Sequence, residues 1–237
     1  MTPYVGGEIK TREKFQYGRF VTRMRVPQMP KGTVASFFTY WNGPGWKEGE
    51  WNEIDLELVP SISNTQVSTN LIYGTGRGHS ESHKYEASPQ HDQWTTHQVD
   101  WTPDYIRWYV NGTLIRESLP KDKGVSTMDK EQVLMMNFWT PTWSPWGDGL
   151  DNSSMPWTAD YDFVETYKYN HATKKFSLNW RDDFNSLIAD RWLVSDNWNF
   201  GGSSTTFMKK QVYTDKGALH LKLERGLIHM DDLLDEM

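Results

Sequence analysis

The stretch EWNEIDLELVP (50–60) sets Glu53, Asp55 and Glu57 at every second position, with Ile54, Leu56 and Leu58 between them. Residues i, i+2 and i+4 share one face of a β-strand, and strict alternation favours the strand over a helix. The apolar side then points inward and the acidic side lines a sheet surface. Retaining glycoside hydrolysis uses two carboxyls about 5–5.5 Å apart, one as nucleophile and the other as acid/base. On a flat strand, Cα atoms four residues apart are separated by ~13 Å. Two long Glu side chains leaning together over a curved sheet close that gap, and Asp55 sits between them to hydrogen-bond the nucleophile. Crowded carboxylates do not all ionise easily, so at least one pKa should rise, as a general acid near neutral pH requires. Two other readings stay open. A Glu-x-Asp-x-Glu string arises by chance in about one chain in twenty of this length, as a solvated strand face. Three oxygens on one face also suit a Ca2+ ion. The nearby Tyr40, Trp41 and Trp51 favour a site.

Such a row needs a sheet to hold it, and the rest of the chain reads as strands. RFVTRMRV (19–26) places Phe20, Thr22, Met24 and Val26 on one face, and TVASFFTYW (33–41) is β-branched and aromatic. In DYIRWYVNGTLIRE (104–117), Ile106, Trp108 and Val110 alternate towards Asn111-Gly112, the dipeptide favoured in a two-residue type I′ hairpin turn. FVETYKY (163–169) and ALHLKL (218–223) alternate again. Nothing reads as a three-turn amphipathic helix. The expected fold is all-β, a jelly-roll sandwich of two antiparallel sheets with a concave substrate cleft. One domain spans 1–225, NHATKK (170–175) is the candidate flexible joint, and 226–237 is an acidic C-terminal tail.

Composition narrows the function. The 237 residues contain no cysteine, which removes disulfides, thiolate metal sites and cysteine nucleophiles. A net charge of −6 with dispersed Lys and Arg argues against a nucleic-acid footprint. No apolar run approaches the ~20 residues of a membrane span. MTPYVGGEIK lacks the apolar core of a signal peptide, so any export signal is expected to be already removed or never present. Thirteen Trp, eleven Tyr and ten Phe are many for so polar a chain, and several lie in Gly/Pro-rich stretches such as WNGPGW and FWTPTWSPWGDG. Loop Trp residues offer flat surfaces for the apolar faces of sugar rings, or else fold back over a core. His79 and His83 form no convergent metal pair, no Gly-x-Ser-x-Gly elbow is present, and the sequons at Asn111 and Asn152 carry little weight.

WNEIDLEL, taken with YGRFVTRMRVP, SFFTYWNG, VDWTPDYIRWYVNG, MNFW and YDFVETYKY, resembles glycoside hydrolase family 16, and more narrowly its β-1,3-1,4-glucanases, the lichenases. The resemblance runs to about residue 225. The segment like DDFNSLIADRW…ALHLKLER comes first in the usual family order but last here, at 176–225, which is the order of a circularly permuted member. Permutation is physically mild when the original ends are close in space. The resemblance implies Glu53 as nucleophile, Asp55 as its partner and Glu57 as acid/base. It also implies cleft residues Glu8, Phe38, Tyr40, Asn42, Asn70, Asn137, Trp139, Trp146 and Trp198. No cofactor is implied for catalysis. A structural Ca2+ away from the cleft is expected, at the Asp162 carboxylate with backbone oxygens near Asp183 and Gly217. Ser68, Met135, Thr95 and Ser203 depart from the residues that relatives carry (Gln, Arg, His and Asn) and bear on linkage preference. The implied protein is a secreted, monomeric, retaining endo-glucanase acting on β-glucan polysaccharide or oligosaccharide, with neither nucleic acid nor membrane as partner. The alternatives are a β-1,3-glucanase of laminarinase type and a non-catalytic lectin-like module, because a fold alone decides no activity.

Overall fold

A computed structural model describes residues 2–28, 30–41, 50–75, 79–86 and 92–226. The chain begins with β1 (Tyr4–Gly6), β2 (Glu8–Phe15), β3 (Gly18–Arg25), β4 (Val34–Trp41), β5 (Glu50–Leu58) and β6 (Gln66–Thr75). Two short strands, β7 (His79–Ser80) and β8 (His83–Glu86), precede β9 (Thr95–Trp101), β10 (Ile106–Val110) and β11 (Thr113–Ser118). A single helical turn, α1 (Lys123–Thr127), leads to β12 (Gln132–Trp139) and the long β13 (Trp157–Asn170). Then come β14 (Lys175–Asp182), β15 (Trp192–Val194), β16 (Thr205–Phe207), β17 (Val212–Asp215) and β18 (Ala218–Arg225).

Two sheets result, in a jelly-roll-like sandwich. The first has the order β15-β2-β12-β4-β5-β6-β7, with β8 also on β6. The second runs β11-β10-β9-β3-β13-β18-β1-β16, with β14 on β13 and β17 on β18. Pairing is antiparallel except for β1 with β16. The period-two patterns fold as the alternation predicts: Phe20, Met24, Ile54, Leu56, Leu58, Leu219, Leu221 and Leu223 are all buried in one core between the sheets.

Aromatic groups in that core keep their polar tips paired, as buried Trp and Tyr must. Trp108 Nε1 on β10 donates to the Asp55 carbonyl on β5 at 2.9 Å. Tyr161 Oη on β13 donates to the Ser36 carbonyl on β4 at 2.9 Å. Each bond pins a strand of the first sheet to the second. Asn111 and Gly112 have φ of 48° and 77°, the paired positive values of a type I′ turn. NHATKK is a tight hairpin, not a loose joint: Asn170 Oδ1 accepts from the Ala172 and Thr173 amides, and Asn170 pairs with Lys175 across the turn. The helical turn α1 has no counterpart in the sequence reading, since five residues are too few to display a period. Of the expected tail, 227–237 lies outside the described residues.

Candidate active site

Strand β5 lies near the middle of the first sheet, between β4 and β6. Its apolar residues Ile54, Leu56 and Leu58 face the core, which sends Glu53, Asp55 and Glu57 to the other face. Register carries that face across neighbouring strands. Glu8, Asn137, Ser36, Glu57 and Ser68 stand in one rank, from β2 through β12, β4 and β5 to β6. Lys10, Met135, Phe38, Asp55 and Asn70 form the next. The third holds Val133, Tyr40, Glu53, Ile72 and Ser80.

The carboxylates influence one another. Burial, followed by the charge of Glu53, pushes Glu57 up to about 8. Burial also raises Asp55 well above the ordinary Asp range, and the charges of Glu53 and Glu57 and a hydrogen bond with Glu53 add to the effect. Glu53 Oε2 accepts from Trp51 Nε1 at 2.5 Å, a donor that favours its anion. Near neutral pH the trio therefore combines a carboxyl that keeps its proton with a carboxylate held by donors, the pairing that general acid and nucleophile need.

Polar and aromatic groups extend the face on both sides. Glu8 is buried, and burial raises its pKa against donors from Ser195 at 2.6 Å, Asn137 at 3.1 Å and Trp198 at 3.1 Å. Ser36 Oγ in turn donates to Asn137 Oδ1. Asn70 Oδ1 accepts from Ser80 Oγ at 2.9 Å. Beyond the Glu57 rank, Trp139 meets Phe200 at 4.8 Å and Trp143 at 5.5 Å between ring centroids, and Trp143 meets Trp146 at 6.1 Å. Trp198 packs on Phe207 at 5.7 Å and stays 41% exposed. At the opposite end, Tyr40 meets Trp51 edge-on at 5.5 Å and Phe38 at 6.4 Å. The acidic ranks thus lie between two aromatic groups, an arrangement suited to a chain of sugar rings.

Eleven of the twelve expected catalytic and cleft residues, all but Asn42, fall on this face or its aromatic margin; Asn42 lies outside the described residues. Sequence reading did not single out Ser36, Trp143 or Ser195 as site residues. Trp143 was visible in the Trp spacing of FWTPTWSPWGDG, whereas the two serines carry no local signal because distant strands bring them in. Ser68 is buried beside Glu57, and its Oγ has no hydrogen-bond partner among the described residues.

The three expected calcium residues are placed on the second sheet and its connections. Asp162 pairs with Arg23 at 2.9 Å and Asp183 with Arg181 at 2.7 Å. A Cβ on Gly217 would stand 3.8 Å from the Asp183 carbonyl oxygen and from Asn185 Oδ1, so Gly217, Asp183 and Asn185 lie together. Among the described residues no three His, Asp or Glu side chains gather as a metal site.

Residues 1–162 match the model of Glycosyl hydrolases family 16. A β-glucanase of Fibrobacter succinogenes is 33% identical over 229 residues, covering 94% of this chain and 64% of that protein. A β-glucanase of Brevibacillus brevis is 30% identical over 171 residues, or 71% of this chain and 58% of its own. The chain thus spans about 60% of the length of these relatives. Among solved structures, Bacillus licheniformis β-glucanase superposes with a TM-score of 0.57 at 23% identity, over 70% of this chain and 78% of that one. A β-1,3-1,4-glucanase (lichenase) from a mouse hindgut metagenome gives 0.54 at 26%, over 68% and 78%. The laminarinase catalytic domain of Thermotoga maritima gives 0.56 at 18%, over 70% and 78%.

Proposed function

Because the chain belongs to glycosyl hydrolases family 16, we propose that it is a retaining endo-β-glucanase acting on mixed-linkage β-1,3-1,4-glucan. The observation that carries this reading is the Glu53–Asp55–Glu57 row on one sheet face, flanked by the Trp139–Trp143–Trp146 and Tyr40–Trp51 groups. Protonated Glu57 donates to the departing glycosidic oxygen while Glu53 attacks the anomeric carbon. Water, deprotonated by Glu57, then displaces Glu53 from the glycosyl-enzyme. Asp55, protonated beside Glu53, steadies the nucleophile by hydrogen bonding. The buried Ser68 hydroxyl, set across from Glu57, offers a bond to a sugar hydroxyl.

A non-catalytic module would have no use for a carboxyl that stays protonated to about pH 8. Mixed linkage agrees with the likeness to the mouse-hindgut lichenase. Reducing ends released from lichenan, laminarin and carboxymethylcellulose test the reading. Lichenan should be cleaved, and Glu53→Ala should abolish turnover; cleavage of laminarin alone would make the protein a β-1,3-glucanase. The reading includes an extracellular, monomeric enzyme, since a polymeric glucan too large for uptake is met outside the cell.

The C-terminal strands support a permuted order. The family model ends at residue 162, and β14–β18 follow it, while the Fibrobacter relative aligns over 229 residues. For calcium, the oxygen-only set of Asp162 with carbonyls near Asp183 and Gly217 is of the hard-cation kind. A bound ion would take the Asp162 carboxylate from Arg23. Added Ca2+ should then raise the melting temperature of chelator-treated protein by a few degrees; indifference to both would remove the site.

A further inference from the structure

Arg116 is buried to 4% exposure on β11, in the second sheet, on the core side of the acidic strand. A core position could take an apolar residue at less cost, since desolvating a guanidinium costs several kcal/mol. Its contacts do not fully compensate. One guanidinium nitrogen donates to Thr69 Oγ1 at 3.0 Å, and the cation lies 4.3 Å from the centroid of the Trp108 ring. Glu81 Oε2 stands 3.9 Å away, beyond a charge-assisted hydrogen bond, because Tyr73 Oη at 2.8 Å and the Gly124 amide at 3.0 Å hold the other oxygen, Oε1.

Both close contacts lead to the active strand. Thr69 pairs with Leu56, the residue between Asp55 and Glu57. Trp108, beneath the cation, donates its indole N–H to the Asp55 carbonyl at 2.9 Å. A permanent positive charge thus sits behind the one strand that bears the crowded carboxylates, in a core whose low dielectric screens it weakly.

We infer that Arg116 is a positioning residue for the glycosidase reaction, a buried counter-charge that holds the Glu53–Asp55–Glu57 trio in its singly ionised working state. This rests on the hydrolase reading above. The trio carries its negative charge on Glu53 before attack and on Glu57 in the glycosyl-enzyme. A fixed cation behind the strand offsets that charge at either address. The groups facing Arg116 are Asp55 from β5, Glu81, Tyr85 from β8 and Asp122 before α1. Of the trio it is Asp55 that Arg116 acts on most directly, its charge favouring the Asp55 anion against burial and the two neighbouring carboxylates.

The test is the pH profile of kcat/KM on lichenan. Arg116→Met should move both limbs upward by roughly half to one pH unit, while Arg116→Lys, which keeps the charge, should restore them and lose only melting temperature. Glu81→Gln, isosteric and outside the catalytic row, should move the limbs the opposite way and decides the matter if Arg116→Met does not fold. Unmoved limbs in folded Arg116→Met, or in Glu81→Gln where that variant must decide, would reduce Arg116 to a structural residue. Carboxyl titration of Glu57 by 13C NMR reads the same shift without substrate. A wild-type protein that cleaves no glucan would therefore defeat the hydrolase reading and still leave the counter-charge measurable.

Discussion

The Glu57 carboxyl keeps its proton to about pH 8 because burial and the Glu53 charge both disfavour its anion. The same shift acts on stability. An unfolded Glu titrates at 4.5, so between 4.5 and about 8 the folded state holds the extra proton. Stability from this group is full below 4.5 and is lost as pH rises through 8, at up to about 1.4 kcal/mol per pH unit. At neutral pH part of that loss is already present. Glu57→Gln, which needs no proton, should therefore be more stable than wild type at pH 7 by on the order of 1–3 kcal/mol, while losing nearly all turnover. Thermal melts of both proteins at pH 5 and pH 8 check this: the gap should widen with pH, and a gap constant across pH would refute the shift. The alternation of the row was plain in the string at 50–60. Which carboxyl keeps the proton was not, because burial and distance to Glu53 are properties of the packed sheet.

At the scale of elements, the register does most of the assembly. Glu8 and Glu57 are 49 positions apart in sequence, yet β2, β12, β4 and β5 place them in one rank. Individual strands were legible from alternation, and the Asn111-Gly112 hairpin from its turn dipeptide. Strand order was not, since hydrophobic period says which face is buried and nothing about which neighbour is paired. The ends of the described chain are themselves neighbours: the Gly226 amide donates to the Pro3 carbonyl at 2.8 Å. With the original ends joined by a short linker and new ends opened at 171–174, every strand pairing is retained. Such a variant should fold with an unchanged circular-dichroism spectrum and keep the proposed glucan-cleaving turnover within about threefold, at a modest loss of melting temperature. Failure to fold would mean that the Asn170 hairpin is required to bring β13 and β14 together.

For the whole molecule, acid sensitivity should come in part from His97. It is fully buried in the second sheet with Thr95 Oγ1 at 2.7 Å from Nε2, while Nδ1 has no hydrogen-bond partner among the described residues. Burial lowers its pKa to about 3 from 6.5. Below 6.5 the unfolded chain takes up a proton that the folded one refuses, so stability falls as pH drops from 6.5 towards 3, by up to about 1.4 kcal/mol per unit. His97→Gln should flatten that slope relative to wild type in urea melts between pH 4 and 7; parallel slopes would contradict it. Sequence alone determined the β class, the inward face of each strand, the acidic row and the family likeness, because each is written in local order with a period of two or in contiguous motifs. Tertiary structure alone decided the rank that sets Glu8, Asn137 and Ser36 in line with Glu57, the aromatic groups at either end of the row, and the arginine behind it. Pairing and burial join residues far apart in the chain, and charge in a low-dielectric interior depends on those distances rather than on order.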